Sequence, residues 1–190
     1  MILRAALDEF AARGFHDASL NRVIEAAGIS KGSLYYYFDG KDDLYAYVAR
    51  VELERLFFRL GSFSVPSDGD ADAFWARLAN YYLRVMTALI AAPQLAAFIR
   101  GWVAASRNPA LQQAQLEMGQ AVLPWIAQAL AAGQRIGAVR SDVPSTLLVA
   151  VVFGMGQAMD SWLMTQQPAA DQLPPLVDAL IDMIRGAVQP

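Results

Sequence analysis

Apolar residues recur at intervals of three and four positions along almost the whole of this chain, and runs that alternate between apolar and polar residues are absent. This spacing puts the apolar side chains on one side of an α-helix, whereas a half-buried strand would need alternation. At 56% of the 190 residues, the hydrophobic content is high enough to build a sizeable core. The sequence therefore predicts an all-α fold of about nine helices.

Glycine and serine positions divide the N-terminal part into short helices. A first helix should end at Gly14, because glycine adopts the left-handed conformation that closes a helix. Ser19 is expected to cap a second helix that stops at Gly28, and Ser30 to cap a third helix that runs to Phe38. This pattern predicts a small domain of three short helices.

A fourth, longer helix should connect this small domain to the rest of the chain. Asp39 is expected to cap it, Asp42 to complete a capping box, and the helix to continue to about Arg59. The stretch that follows, 61–72, is rich in Gly, Ser, Pro and Asp. Such a composition predicts a linker.

Longer helices should fill the remainder of the chain. Pro124 falls inside one of them and is expected to kink or split it. The predicted ranges are 73–91, 94–106, 109–133, 144–166 and 173–187. We therefore predict an N-terminal domain of residues 1–45 and a helical domain of residues 46–190.

Two long uncharged stretches, 118–134 and 143–159, raise the question of a membrane span. Both are shorter than the ~20 mostly apolar residues that cross a bilayer, so we expect them to be buried helices of a bundle. The chain has no cysteine, and its first residues lack the charged-then-apolar pattern of a signal peptide. We therefore expect a cytoplasmic protein.

Three consecutive tyrosines, Tyr35, Tyr36 and Tyr37, mark the third predicted helix. Consecutive helical positions point in different directions, so one apolar core cannot take all three side chains. Leu34 and Phe38 lie four positions apart and should face the core, which places Tyr35 at its rim and leaves Tyr36 and Tyr37 outside. Two short helices joined by a tight glycine-containing turn, the second with such an outward face, are typical of a helix-turn-helix DNA-binding motif.

The N-terminal segment resembles the DNA-binding domain of the tetracycline-repressor (TetR) family of bacterial regulators. The resemblance lies in "AALDEFAARGF", "ASLNRVIEAAGISKGSLYYYF" and "GKDDLYAYV", with the helix-turn-helix at about 19–38, and it covers residues 2 to about 50. It implies a transcriptional regulator whose third helix enters the major groove of double-stranded DNA. The positions that it assigns to DNA contact are Ser19, Arg22, Ser30, Lys31, Gly32, Ser33, Tyr35, Tyr36, Tyr37 and Lys41.

The charge of this segment sets an expectation for its affinity. Lys31 and Lys41 are the only lysines of the chain, yet residues 1–50 carry six basic against seven acidic side chains. Either the start of the chain is truncated, or its DNA affinity depends on few phosphate contacts. In the second case we expect weak binding with a shallow salt dependence, because this dependence grows with the number of phosphates that basic groups neutralise. Our candidates for contacts to base edges are Lys31, Ser33, Tyr36 and Tyr37.

For the last two helices, the resemblance implies pairing with their copies in a second chain, so that a homodimer binds a palindromic operator. Small residues in the first of these helices permit close helix approach, and apolar residues stripe the second. The same stripes also suit packing within one chain, so both interpretations stay open. The residues expected at a dimer interface are Val151, Gly154, Ala158, Leu176, Leu180, Met183 and Ile184.

The resemblance further implies that the middle helices bind a small, usually apolar effector that releases a repressor from DNA. Large aromatic and methionine side chains are frequent there, although such residues also fill an ordinary core. The candidate pocket residues are Trp75, Tyr82, Met86, Phe98, Trp102, Met118, Trp125, Met155 and Met159. The polar groups that would orient an effector are Asn80, Arg84, Arg100, Gln157 and Asp160.

The sequence offers little for catalysis or metal binding. It has no cysteine and a single histidine, His16, in a predicted turn. Without a nucleophile and base or a cluster of metal ligands, we expect no enzymatic activity, no metal and no cofactor. The alternative to a DNA-binding regulator is a dimeric interaction protein of the same fold that has lost specific DNA binding.

Overall fold

The structure, a computed structural model of the chain, describes residues 1–61, 63, 70–105 and 108–190. Within these ranges the backbone forms nine α-helices and no β-strand, which confirms the all-α prediction. The helices are α1 (Ile2–Asp17), α2 (Leu20–Ala27), α3 (Lys31–Tyr37), α4 (Lys41–Leu60), α5 (Ala71–Ile90), α6 (Pro93–Ala104), α7 (Pro109–Arg135), α8 (Ser145–Gln166) and α9 (Leu173–Val188).

The first helix breaks where the sequence predicts, but it does not end there. Gly14 has φ 68° and ψ −177°, a backbone conformation outside the helical region that glycine adopts without strain. Helical hydrogen bonding resumes beyond it, so α1 continues to Asp17. The glycine therefore bends the chain between the long part of α1 and the turn that precedes α2.

The start of α4 differs from the predicted capping box. The helix begins at Lys41, and the backbone N–H of Asp39 donates a hydrogen bond to Asp43 Oδ2 at 3.1 Å. Asp43, rather than Asp42, thus accepts from the N–H group ahead of the helix. The difference of one position follows from the start at Lys41, which moves the third helical residue to Asp43.

Two further expectations concern the middle of the chain. Most of the predicted linker 61–72 lies outside the described residues, and α5 begins inside this range at Ala71. α7 passes through Pro124 as a single helix of 27 residues, so the predicted split is wrong. A proline removes only its own N–H from the ladder, and the remaining hydrogen bonds of so long a helix preserve it.

The chain packs as two compact units. The first consists of Met1–Arg59 and Leu89–Met118, and the second of Leu60–Ala88 and Gly119–Pro190. These units do not follow the division expected at residue 45, because α6 packs along α1 and therefore belongs with the N-terminal helices.

Tyr45 lies at the centre of the first unit. The side chain is fully buried, and its ring centroid lies 4.6 Å from that of Phe10, 4.7 Å from Phe98 and 5.5 Å from Trp102. A Cβ on Gly101 would lie 3.0 Å from the Tyr45 hydroxyl, so the ring fits only because α6 has a glycine there. That hydroxyl is buried without a hydrogen-bond partner in the described part of the chain, and burial raises its pKa.

The second unit contains a similar close contact. A Cβ on Gly133 of α7 would lie 2.6 Å from Val139 Cγ2 and 3.1 Å from Phe74 Cζ, so a glycine is needed for these side chains to reach the helix backbone. Just beyond Val139, the Arg140 N–H donates to the Val188 carbonyl at 2.8 Å. This bond ties the end of α9 to the turn after α7.

α8 is long and apolar enough to cross a membrane by length and composition. It has 22 residues and a mean hydropathy of 1.5 over its most apolar window, which corrects the estimate that the stretch 143–159 falls short of a span. The estimate failed because the helix continues past Asp160 to Gln166. Only 22% of that window is buried within the chain, so much of the apolar surface of α8 is open to a partner.

Replacing Tyr45 by phenylalanine should raise the free energy of unfolding by about 1 kcal/mol, because it removes a buried, unpaired hydroxyl and keeps the ring. Chemical denaturation followed by circular dichroism measures the change. Tyr47→Phe is the matched control, since Tyr47 is 36% exposed and its hydroxyl can be solvated. A loss of stability in Tyr45→Phe would contradict the assignment of an unpaired hydroxyl.

Candidate functional site

A tight turn joins α2 to α3. Gly28 adopts the left-handed conformation (φ 62°, ψ 34°), and its backbone N–H donates to the carbonyl of Glu25 at 3.1 Å, which confirms the predicted helix end. Val23 from α2 and Leu34 from α3 are fully buried, and Phe38 is nearly so. The apolar sides of both helices therefore face the core, and the opposite side of α3 faces away from it.

The start of α3 is held by two serines. Ser30 Oγ accepts a hydrogen bond from the Ser33 N–H at 3.0 Å, which confirms Ser30 as the cap, and the two hydroxyl oxygens lie 2.8 Å apart. A Cβ on Gly32 would meet only Ser30 Oγ, at an ordinary contact distance of 3.8 Å. Packing within the described residues thus leaves room for a side chain at Gly32, and a need for glycine there would come from a molecule that approaches α3.

The tyrosines of α3 occupy its outward side. Tyr36 and Tyr37 are 81% and 71% exposed, and their rings meet edge to face with centroids 4.9 Å apart. Tyr35 is 47% exposed, and the Lys31 ammonium lies 5.8 Å from its ring centroid. This agrees with the orientation that helical spacing predicts, with Tyr35 at the rim and the other two outside.

Glu9, which sequence analysis did not single out, ties α1 to the start of α2. Its Oε1 accepts hydrogen bonds from the Ser19 N–H at 2.9 Å and from Arg22 Nε at 2.7 Å. Arg22 also donates through Nη2 to the carbonyl of Asp17 at 2.7 Å. Burial pushes the pKa of Glu9 upward, but the Arg22 and Ser19 hydrogen bonds outweigh it, and the pKa lies below its ordinary value. The side chain of Ser19 makes no capping hydrogen bond, contrary to the sequence prediction, and the carboxylate of Glu9 fixes the backbone of Ser19 directly before α2.

Lys41 braces the same junction from α4. Its Nζ donates to the carbonyls of His16 at 2.7 Å and Ala18 at 3.2 Å, and it lies 4.9 Å from the ring centroid of Phe15. The ammonium therefore satisfies two backbone acceptors in the turn between α1 and α2. In the free chain it holds this turn rather than standing out in solvent.

The structure therefore sorts the predicted DNA-contact positions into two groups. Ser19, Arg22 and Lys41 lie at the junction of α1 and α2, where each makes a bond to the protein. The exposed positions on α3 and its cap are Ser30, Lys31, Gly32, Ser33, Tyr35, Tyr36 and Tyr37. Contact of either group with DNA stays a prediction.

The predicted pocket residues fall into different environments. Phe98 and Trp102 pack on Tyr45 in the first unit, which favours a core role for both. In the second unit, the buried residues are Trp75, Met86 and Met159, and the half-buried ones are Tyr82, Trp125 and Met155. Met118 is half-buried and belongs to the first unit. Among the polar groups, Asp160 accepts a hydrogen bond from the Tyr82 hydroxyl at 2.6 Å, whereas Arg84 donates to the Leu60 carbonyl.

The predicted dimer residues lie mostly on open surface. Val151, Gly154 and Ala158 are exposed on α8, and Met183 is 55% exposed on α9. The half-buried positions are Leu176 and Leu180. Ile184 is only 6% exposed, so it packs mostly within the chain, and its assignment to a dimer interface stays a prediction. It lies on the side of α9 that packs inside the chain, one position further around the helix than Met183.

The N-terminal helices of this chain are similar to those of known DNA-binding regulators. A family model described as bacterial regulatory proteins of the tetR family matches residues 2–48, which contain α1 to α3. The N-terminal helices of the chain are thus similar to those of the tetR family. The HTH-type transcriptional regulator RutR of Escherichia coli K12 is 49% identical over 53 residues, which are 28% of this chain and 25% of RutR. That match therefore spans about a quarter of the relative's length.

Similarity beyond the N-terminal helices is lower. The HTH-type transcriptional regulator UidR of Escherichia coli K12 is 26% identical over 160 residues, covering 81% of this chain and 77% of UidR. The crystal structure of FadR from Bacillus subtilis in complex with stearoyl-CoA matches with a TM-score of 0.74 at 20% identity, over 99% of this chain and 98% of that one. This likeness confirms the fold. All three relatives are named as regulators and none as an enzyme, in agreement with the expected lack of catalytic activity.

Glu9→Gln should lower the free energy of unfolding at neutral pH by roughly 1 kcal/mol, since the amide cannot pair with Arg22 as a charge. Because the pKa of Glu9 is lower in the folded than in the unfolded chain, its charge stabilises the fold above the ordinary pKa of 4.5 and loses this effect as pH falls through the folded value. The difference between wild type and variant should therefore shrink in acid.

Urea denaturation across this pH range measures that difference. Glu25→Gln is the matched control, because Glu25 is exposed on α2. A difference between wild type and Glu9→Gln that is the same at every pH would contradict a role for the charge.

Proposed function

We propose that this chain is a sequence-specific transcriptional regulator, a cytoplasmic homodimeric repressor that a small effector releases from a palindromic operator. The observation that carries the proposal is the outward side of α3. Tyr36 and Tyr37 are 81% and 71% exposed there, beside a lysine and a serine. Large aromatic rings usually bury most of their surface, so two that stand in solvent on a short helix favour a partner that covers them.

The dimensions and chemistry of α3 suit the major groove. Its seven residues extend about 10 Å at ~1.5 Å per residue, and the groove is about 12 Å wide. Tyrosine and serine hydroxyls both donate and accept hydrogen bonds, so they suit phosphate oxygens and base edges alike. Lys31 adds a positive charge that pairs with a phosphate or with the acceptors of guanine.

Residues beneath α3 act in this proposal by fixing its angle to the DNA. Glu9 joins Ser19 and Arg22, and Lys41 spans the turn between α1 and α2. We assign Glu9 and Lys41 as positioning residues in the free protein. Their loss would weaken operator binding by displacing α2 and α3, rather than by removing a contact to DNA.

A stripe of exposed residues on α8 supports the dimer. Leu147, Val151, Gly154, Ala158 and Trp162 are spaced four, three, four and four positions apart, so they share one side of the helix. Leu147 is 51% exposed and Trp162 is 46% exposed. Several large apolar side chains exposed along one side of a helix are unusual unless a partner covers them. A second copy related by a two-fold axis would cover this stripe with α8 and α9 of its own.

Dimerisation gives the two α3 helices the geometry that a palindrome requires. Half-sites one turn of DNA apart, about 34–36 Å, match a protein two-fold axis. An effector acts by binding more tightly to a dimer whose α3 helices no longer fit successive grooves, which shifts the population away from DNA. FadR of Bacillus subtilis, crystallised with stearoyl-CoA, supports a ligand-responsive role for this fold.

The test of DNA recognition starts from operators that the full-length protein selects out of a random pool of duplexes. Tyr36→Ala should weaken binding to the selected duplex about 5- to 150-fold, equivalent to ~1–3 kcal/mol, and reduce its preference over random DNA. Lys31→Ala should lower the salt slope by about one unit if the lysine neutralises a phosphate. Fluorescence anisotropy at several salt concentrations measures both effects.

Arg77→Ala is the control for loss of a positive charge, because Arg77 is exposed on α5, in the second unit. It should leave operator affinity unchanged. Failure to select any sequence, with equal affinity for all duplexes, would favour the interaction protein without specific DNA binding.

The dimer is tested by placing a charge in the α8 stripe. Val151→Glu should convert the dimer to monomer at micromolar concentration, because the two-fold axis brings the new carboxylates into an apolar interface. Analytical ultracentrifugation measures the mass. Gln157→Glu is the control, since Gln157 is exposed on α8 but outside the stripe. Equal behaviour of the two variants would rule out this interface.

A further inference from the structure

Asp160 and Tyr82 form a polar pair on the inward sides of α8 and α5. The Tyr82 hydroxyl donates a hydrogen bond to Asp160 Oδ1 at 2.6 Å. Burial and the adjacent carboxylate raise the pKa of Tyr82, so the hydroxyl keeps its proton and remains a donor. The pair therefore presents a carboxylate whose position is fixed by a second helix of the same unit.

The carboxylate of Asp160 has no compensating positive charge. Among the described residues the ion pairs of the second unit join Arg140 to Asp142 and Arg185 to Asp72, and none includes Asp160. Burial raises the pKa of Asp160, and the hydrogen bond from Tyr82 opposes this rise without cancelling it. A half-buried acid of this kind is stabilised in its charged form by any cation that comes within a few ångströms.

Space for such a cation adjoins the pair on α8. Gly156 lies one turn before Asp160, and a Cβ on this glycine would meet no atom within 4 Å. Because helical side chains lean towards the N-terminus, the carboxylate of Asp160 extends over this turn. The missing side chain thus leaves open space one helical turn before the acid.

An aromatic ring lies at the other end of that space. Phe153 is seven positions before Asp160 and three before Gly156, so the three residues share one side of α8. A Cβ on Gly119 of α7 would lie 2.9 Å from Phe153 Cζ, which shows the ring seated against the backbone of α7. The side of α8 that faces α5 and α7 therefore runs from a ring, across an unfilled turn, to a carboxylate.

The facing surface of α5 is apolar apart from Tyr82. Met86 lies one turn after Tyr82 on the same side of the helix and is 4% exposed. Trp75 lies two turns before it and is likewise 4% exposed. Aromatic rings and a methionine sulfur suit an apolar or cationic ligand, whereas they offer nothing to an anionic group.

We propose that Asp160 and Tyr82 bind the positively charged head group of the effector, an organic ammonium ion whose apolar body lies over Gly156 against Phe153. The proposal rests on the regulatory function given above and names the chemical class of its effector. The carboxylate supplies charge, the Tyr82 hydroxyl fixes the carboxylate, and the turn at Gly156 supplies room. A free carboxylate ligand would be repelled by the same group.

The test compares three probes with the same alkyl chain, namely hexyltrimethylammonium, hexanoate and hexanol. Isothermal titration calorimetry on the full-length protein measures their binding. We expect hexyltrimethylammonium to bind more tightly than the other two probes. Asp160→Asn should weaken its binding at least tenfold, because the amide keeps the shape and loses the charge.

Control variants separate this site from general effects on the fold. Asp142→Asn removes an exposed carboxylate elsewhere in the second unit and should leave binding of the cation unchanged. Gly156→Leu fills the open turn and should abolish binding while Asp160 is intact, which keeps the test informative if Asp160→Asn does not fold. Equal binding of the cation to wild type and to folded Asp160→Asn or Gly156→Leu would overturn the proposal, as would tighter binding of hexanoate or hexanol.

Operator binding is measured separately on the same preparations. Intact operator binding without Asp160-dependent binding of the cation would refute the effector class and leave the regulator in place. Asp160-dependent binding of the cation by a protein that selects no DNA sequence would refute the regulator and leave the cation site in place. The two proposals thus fail by different results.

Discussion

The ionised carboxylate of Glu9 is the contact on which the presentation of α3 depends. It joins α1 to the N–H of Ser19, directly before α2, and to Arg22 within α2, so α2 cannot rotate without straining both bonds. α3 follows α2 across a tight turn closed by Gly28, and Leu34 anchors it in the same core. α1 in turn packs along α6, around the buried ring of Tyr45. The orientation of an exposed seven-residue helix is therefore set by buried contacts beneath it rather than by its own stability, which would be small for so short a helix.

The distribution of apolar and charged residues around α8 is the reverse of that expected for a helix whose contacts all lie within one chain. An ordinary surface helix turns apolar residues inward and charge outward. Here Val151, Trp162 and their neighbours lie outside, while Asp160 lies on the inward side without a basic partner among the described residues. The exposed apolar stripe and the inward carboxylate have one explanation if each is a surface that another molecule contacts. In our proposals, a second copy covers the outer stripe and a cationic ligand binds the inner carboxylate.

Local spacing allowed several features of the site to be predicted correctly. Ser30 caps α3, Gly28 closes α2, and Leu34 faces inward while Tyr36 faces outward, since each depends on residues within four positions of one another. The functions of Glu9 and Lys41 were not predictable in the same way. Glu9 bonds to Ser19, ten positions away, and Lys41 bonds to carbonyls 25 and 23 positions away. The burial of Ile184 was also not predictable from the sequence, because an apolar stripe on α9 does not show which of its residues pack within the chain.

The sequence by itself determined that the chain is helical, where most helices begin and end, and that α3 carries an outward tyrosine face. Periodicity and capping act between near neighbours, and their outcome is therefore present in a short stretch of residues. Only the tertiary structure decided which polar groups are already satisfied within the chain and which are left for a partner. Packing lets Lys41 donate to two backbone carbonyls and leaves the Tyr45 hydroxyl without a hydrogen-bond partner among the described residues. It also brings the Tyr82 hydroxyl to the carboxylate of Asp160, 78 positions away in the sequence. Such pairings depend on how whole helices pack, and no local pattern of residues specifies them.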